Sequence, residues 1–240
     1  MATLFISDLH LCPLRPQING IFARFLEGPA RQADALYILG DLFEYWAGDD
    51  DLGDPFNASI AGALRSCAAH VPVHLMHGNR DFLLGPAFAH AAGVRLIADP
   101  LLADIGGVQT LLTHGDMLCT DDSAYMQFRA EVRSTAWIDS FLATPLPERK
   151  DRIEALRQES ETEKMHKPIE IMDVNAGAVA ILLREYGYPR LIHGHTHRQA
   201  RHEHRVDDHC CERWVLADWN TSGSYLLCAG RKVDAIALPG

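Results

Sequence analysis

The chain has 240 residues, with 22 lysines and arginines against 32 aspartates and glutamates, for a formal charge of −10. Hydrophobic residues make up 48% and charged residues 22%, an ordinary globular composition that excludes a disordered, collagen-like or disulfide-scaffold protein. The acidic excess excludes a nucleic-acid binder working through bulk electrostatics, so an anionic substrate must be held by local positive charge.

In chain order, residues 3–7 read as a strand that runs into Asp8-Leu9-His10. Helical spacing of Ile18, Ile21, Phe22, Phe25 and Leu26 predicts a first helix, and Ile60, Leu64, Cys67 and Ala68 predict a second. Between them a strand at 36–39 leads into Gly40-Asp41, and after them Val73–Met76 leads towards Gly78-Asn79-Arg80-Asp81. A strand over Gln109–Thr113 delivers His114-Gly115-Asp116. Residues 121–170 break this rhythm, being polar and helix-forming with scattered apolar positions such as Tyr125, Phe128, Val132, Trp137 and Phe141. They are predicted to form a helical lid insertion with a turn at 144–147, inside a single domain spanning 1–240. Asp173 as N-cap and Gly187 as C′ residue bracket a further helix. A strand at 189–192 follows and runs towards Gly194-His195-Thr196-His197. In the tail, 214–216, 225–227 and 233–237 read as strands, the last two paired through Gly230. His202, His204, His209 and Cys210 fit no closed zinc spacing and read as a solvated loop.

The six cysteines have no C-x-x-C spacing, and the N-terminus has no basic segment followed by an apolar stretch. No uncharged apolar run approaches the roughly 18 residues needed to span a bilayer. A reduced, cytosolic chain that at most touches a membrane peripherally is expected.

Five strand ends therefore deliver Asp8, His10, Asp41, Asn79, His114, His195 and His197 to one edge of an α/β layered fold. All are oxygen or imidazole donors, which suits Mn²⁺, Fe or Zn²⁺ better than a structural zinc cage. Seven side chains exceed the needs of one ion, but shared between two with a bridging carboxylate they fit a dinuclear site. His74, His77, His193, Asp81 and Asp116 sit beside these motifs and read as supporting or core residues.

The order D-x-H, G-D, G-N-x-D, a later His and G-H-x-H resembles the calcineurin-like metallophosphoesterases, whose fold is a β-sandwich flanked by helices. The resemblance implies that Asp8, His10, Asp41 and His197 hold one ion and Asp41, Asn79, His114 and His195 the other. The broad family has a general-acid histidine where this chain has Arg80. An alkoxide leaving group needs a proton, whereas a phosphate monoester departs without one, and an arginine then serves better by holding diphosphate charge. With Asp121-Asp122 and the helical insertion before G-H-T-H, the pattern is similar to the UDP-2,3-diacylglucosamine hydrolases of lipid A biosynthesis.

That similarity implies hydrolysis at the α-phosphorus to UMP and 2,3-diacylglucosamine 1-phosphate with two Mn²⁺. It implies a monomer acting at the cytoplasmic face of the inner membrane on a nucleotide-linked glycolipid. Asp41, Asn79, Arg80 and His195 would be catalytic, and Asn79, Arg80, Asp122, Ser160, Lys164, Lys167 and His195 would contact substrate. Lys164 and Lys167, at i, i+3 spacing, can present a joint positive end. The insertion's apolar stripe either packs on the main domain or binds acyl chains. A soluble nucleotide pyrophosphatase or phosphodiesterase of the same fold is the alternative, and a metal-binding scaffold is disfavoured because every expected ligand is present.

Overall fold

Period-2 alternation divides each buried strand between two cores, and this decides the layering. In strand β1 (Thr3–Ile6), Leu4 and Ile6 join one apolar cluster while Phe5 joins another. Strand β2 (Ala35–Leu39) divides in the same way, Leu36 and Ile38 to one side and Leu39 to the other. The computed structural model describes residues 2–166 and 169–240, with side chains throughout except at 159–161, 163–166 and 169–170.

The first sheet continues with β3 (Val73–Met76) and β4 (Arg95–Ile97), both parallel to their neighbours. A second sheet begins with β5 (Leu101–Asp104), β6 (Gln109–Thr113) and β7 (Arg190–His193), and is completed by the antiparallel pair β8 (Ala200–Val206) and β9 (His209–Val215). The chain then returns to the first sheet with β10 (Gly223–Ala229) and β11 (Lys232–Leu238), a hairpin turning at Gly230, giving the order β11-β10-β1-β2-β3-β4. The second sheet runs β5-β6-β7-β9-β8. Phe5, Leu39 and Met76 of one sheet meet Leu112, Ile192 and Leu216 of the other in the core between them.

Helices α1 (Pro16–Glu27), α2 (Pro55–Ala68) and α3 (Pro86–Ala92) cover the outer face of the first sheet. The apolar stripes expected for the first two are buried there, except that Ala68 is only half-buried. After α4 (Ser123–Val132), α5 (Thr135–Leu142) and α6 (Leu146–His166), helix α7 (Ala176–Glu185) covers the second sheet with Val179, Leu182 and Leu183. The result is a β-sandwich between helical layers, as expected, with α4–α6 occupying the segment read as an insertion.

Two local expectations are corrected. The N-cap of α7 is Asn175, whose Oδ1 accepts from Ala178 N at 3.0 Å, while Asp173 pairs instead with Arg198. Gly187 does take the positive φ of a C′ residue, at 77°. The segment read as a solvated loop is the β8–β9 hairpin. There His204 Nε2 accepts from Arg213 Nε at 2.9 Å and His209 stacks on Tyr188.

Candidate metal centre

The strand ends of β1, β2 and β3 carry Asp8, His10, Asp41 and Asn79, and those of β6 and β7 carry His114, His195 and His197. The turns are unusually tight. Asp8, His10, Asp41, His195 and His197 all have left-handed backbone, with φ of 56°, 51°, 52°, 69° and 58°. Backbone pairing outlasts the strands, with Leu9 N and His10 N both donating to Asp41 O at 2.9 and 3.0 Å. Two glycines are obligatory here for lack of space. A Cβ on Gly78 would lie 2.0 Å from Asp41 Oδ1, and one on Gly194 would lie 2.3 Å from Asp8 Oδ2.

Side chains outside the ligand set brace these turns. Asp81 accepts from Leu42 N and Gly78 N, each at 2.8 Å, tying the β2 and β3 loops together. The Arg15 guanidinium donates to Leu9 O at 3.0 Å, to His10 O at 3.1 Å, and to Trp219 O. Asp8 Oδ2 is occupied by Ser7 Oγ at 2.5 Å and His195 N at 2.9 Å. Its Oδ1 faces His197 Nε2 at 3.4 Å.

All seven expected ligands are brought together. One atom each of Asp8, His10 and His197 converge within 4.8 Å of one another, and so do Asp8, Asp41 and His114. Asp41 stands between the groups, Oδ2 at 3.9 Å from His10 Nε2 and Oδ1 at 3.8 Å from His114 Nε2. Asn79 Oδ1 lies 3.0 Å from His114 Nε2 and 2.9 Å from His195 Nδ1.

Whether a cation fits is answered by the buried atoms that lack partners. Asp8 Oδ1 and both ring nitrogens of His10 are buried without a hydrogen bond, and such atoms are rare in folded proteins. Together with an all oxygen and imidazole donor set, they suit hard or borderline divalent ions. Protonation follows the same logic. Burial pushes His10 and His195 down to about 3, leaving neutral imidazoles with lone pairs to donate. Burial opposes the Asp8 carboxylate, but the contact with His197 and the surrounding histidines hold it below the usual range. Burial, with Asp81 and Asp8 adding repulsion, pushes Asp41 up to about 7. For His114 burial is outweighed by Asp41 and Asp8, which raise it to about 9. A cation between these carboxylates would supply the charge that the histidine proton supplies without it.

Several supporting residues carry no sequence signature. Glu44 Oε2 lies 3.6 Å from His10 Nδ1, and Asp218 Oδ2 lies 3.6 Å from His197 Nδ1, each a carboxylate beside the outer nitrogen of a ligand. Leu39 O plays this part for His114 Nδ1 at 2.9 Å. His193, fully buried, makes contacts to Gly194 O and Arg213 and stays outside the cluster, as expected. His77 contacts Leu84 O and His74 stacks on Tyr37. Tyr125, read only as part of an apolar stripe, lies over the His195 ring with centroids 5.9 Å apart.

Two cavities meet at Asn79, Arg80 and Tyr125. A polar groove of about 530 Å³ is lined by His10, Asp41, Asn79, His195 and His197, with Arg15, Asp122 and Arg198 also on its walls. A second cavity of about 290 Å³ lies between the insertion and the main domain, walled by Trp46, Phe82, Phe128, Trp137, Phe141 and Leu156. The insertion's apolar residues divide between packing on the main domain and lining this cavity. Val132 and Phe141 are buried, while Phe128 is 42% exposed. Asp122 borders the groove and also caps α4, accepting from Tyr125 N at 3.0 Å. Ser160 and Lys164 fall on α6 with side chains outside the described set, and Lys167 lies outside the described residues.

A model of the calcineurin-like phosphoesterases matches residues 1–199. The chain is 56% identical over 227 residues to the UDP-2,3-diacylglucosamine hydrolase of Aromatoleum aromaticum, covering 94% of this chain and 92% of that one. It is 47% identical over 241 residues to the enzyme of the same name from Klebsiella pneumoniae, covering both chains fully. A solved archaeal phosphodiesterase matches the fold with a TM-score of 0.50 at 13% identity, over 99% of this chain and 100% of that one. Motif order, ligand geometry and full-length similarity agree, and the chain belongs to the calcineurin-like phosphoesterases and, within them, to the family of the UDP-2,3-diacylglucosamine hydrolases.

Proposed function

We propose that this chain hydrolyses UDP-2,3-diacylglucosamine to UMP and 2,3-diacylglucosamine 1-phosphate, by water attack at the α-phosphorus, as a step of lipid A biosynthesis. The observation that carries this reading is the junction of an apolar cavity with a polar, ligand-lined groove at Asn79 and Arg80. A substrate with acyl chains on one side of a diphosphate and a nucleoside on the other matches that division. Each buried methylene is worth about 0.8 kcal/mol, so acyl chains can supply most of the binding energy.

Asp8, His10, Asp41 and His197 would hold one Mn²⁺, and Asp41, Asn79, His114 and His195 a second. Bound there, the two ions would supply Lewis-acid polarisation of phosphoryl oxygens and lower the pKa of a water. Arg80 is placed by its backbone, whose N–H donates to Asp41 Oδ1 at 2.8 Å, and its side chain borders both cavities. It is suited to hold the diphosphate and stabilise the charge developing on the leaving phosphate, which departs unprotonated. Asn79 and His195 orient the scissile phosphate, and Asp122, Ser160, Lys164 and Lys167 fix the sugar head under a lid formed by α4–α6.

No described helix is long and apolar enough to cross a membrane. Phe128 and Leu142, 42% and 39% exposed on the lid, fit a monomer resting peripherally on the cytoplasmic face of the inner membrane. Hydrolysis of UDP-2,3-diacylglucosamine in ¹⁸O-labelled water with Mn²⁺ tests the reaction. Label is expected in UMP, and label only in the lipid phosphate means attack at the other phosphorus. Equal turnover of acylated and deacylated substrates would instead favour a soluble nucleotide pyrophosphatase.

A further inference from the structure

Asp116 is fully buried two residues beyond His114, and its two oxygens accept hydrogen bonds from α4 and from Arg133, the residue at its C-cap. Tyr125 Oη donates to Oδ2 at 2.8 Å, Arg129 donates through Nε at 2.8 Å and Nη2 at 3.2 Å, and Arg133 Nη2 donates at 3.2 Å. The three donors are spaced four residues apart and share one face of the helix. Apolar packing does little to hold this helix, since Val132 is its only buried residue.

The attachment reaches the centre on two further sides. The Arg133 nitrogen bonded to Asp116 also donates to Gly78 O at 3.0 Å, the carbonyl next to Asn79. Tyr125 lies over His195, and Tyr125, Arg129, Val132 and Arg133 wall the apolar cavity. One carboxylate therefore joins the loop of His114, the loop of Asn79 and a wall of the cavity. A buried ion pair contributes little net stability, and its best-attested use is to fix one arrangement among several.

We propose that Asp116 is a positioning residue that registers the lid against the phosphate site, so that a substrate anchored by acyl chains presents its diphosphate in line. This rests on the acyl-chain reading of the apolar cavity. An ordinary stabilising salt bridge would affect all substrates alike, whereas registration matters only where the lid grips the substrate.

The test compares kcat/KM for UDP-2,3-diacylglucosamine and for its deacylated analogue in the parent, Asp116→Asn and Arg133→Met. Metal content and hydrogen exchange of α4 are measured alongside. Both variants are expected to lower the acylated-to-deacylated ratio about tenfold or more and to speed exchange in α4, with metal content unchanged. Arg133→Met leaves Asp116 paired with Arg129, so it serves where Asp116→Asn does not fold. A parent that discriminates between the substrates, with folded variants that discriminate equally well, overturns the registration while sparing the acyl-chain reading. A parent indifferent to acylation overturns both.

Discussion

Asp8, His10, Asp41, His195 and His197 hang from left-handed backbone that side-chain-bearing residues rarely adopt, at about 1–3 kcal/mol each. The bonds from Arg15 and to Asp81 hold these turns in place. His197 offers a measure of the strain, because its side chain is 40% exposed. His197→Gly is expected to be more stable than His197→Ala by about 1 kcal/mol in denaturant unfolding, with both lacking activity. Asp41→Ala should lose turnover with Mn²⁺ while staying folded, since in the proposed assignment its carboxylate would serve both ions. Near-normal kcat would refute the dinuclear reading. Arg80→Ala should cost a few kcal/mol of transition-state stabilisation on the diphosphate, and Arg80→His should not restore it if the leaving phosphate needs no proton. At this scale the residues that the fold brings together were legible because each follows an apolar run. Glu44 and Asp218 were not, since a carboxylate placed behind a histidine leaves no local spacing to read. Tyr125 was obscured for a different reason, its helical spacing being that of an ordinary core residue.

Among the elements, the insertion shows two kinds of aromatic residue that one sequence pattern cannot separate. Phe141 is 2% exposed and stacks on Trp137 with centroids 4.6 Å apart, whereas Phe128 faces partly outward at the mouth of the cavity. Phe141→Ala is therefore expected to cost about 3–5 kcal/mol in thermal or denaturant unfolding. Phe128→Ser should leave stability within about 0.5 kcal/mol and raise KM for the acylated substrate alone. The helices between 123 and 166 were readable from composition and from the break with the strand rhythm. The β8–β9 hairpin was not, because its half-buried face carries His202 and His204, so the alternation is there in burial but hidden from an apolar count. For α7, Asp173 and Asn175 were chemically equivalent caps, and only the pairing of Asp173 with Arg198 releases the role to Asn175.

Across the whole molecule, the ligand set divides between the two sheets. Asp8, His10, Asp41 and Asn79 come from the first, and His114, His195 and His197 from the second. A divalent ion bound to both would be a clasp between layers that also meet through an apolar seam, in which Phe5, Leu39 and Met76 face Leu112 and Ile192. At a hundredfold excess over Kd, binding to the native state contributes about 2.7 kcal/mol. For a chain of this length chelation should then lower Tm by about 5–10 °C. Such a clasp would join positions as distant in sequence as 8 and 197, as a reversible counterpart of a long-range cross-link. Chelation should therefore open the molecule along the seam before it melts either layer. Amide exchange would rise first in β6 and β7, whose ends carry the second sheet's share of the clasp, and last in β2, enclosed by parallel neighbours and helices. The same cations that serve phosphoryl chemistry would then govern how firmly the two halves of the sandwich stay shut, making metal supply a control on the lifetime of the fold as well as on its turnover.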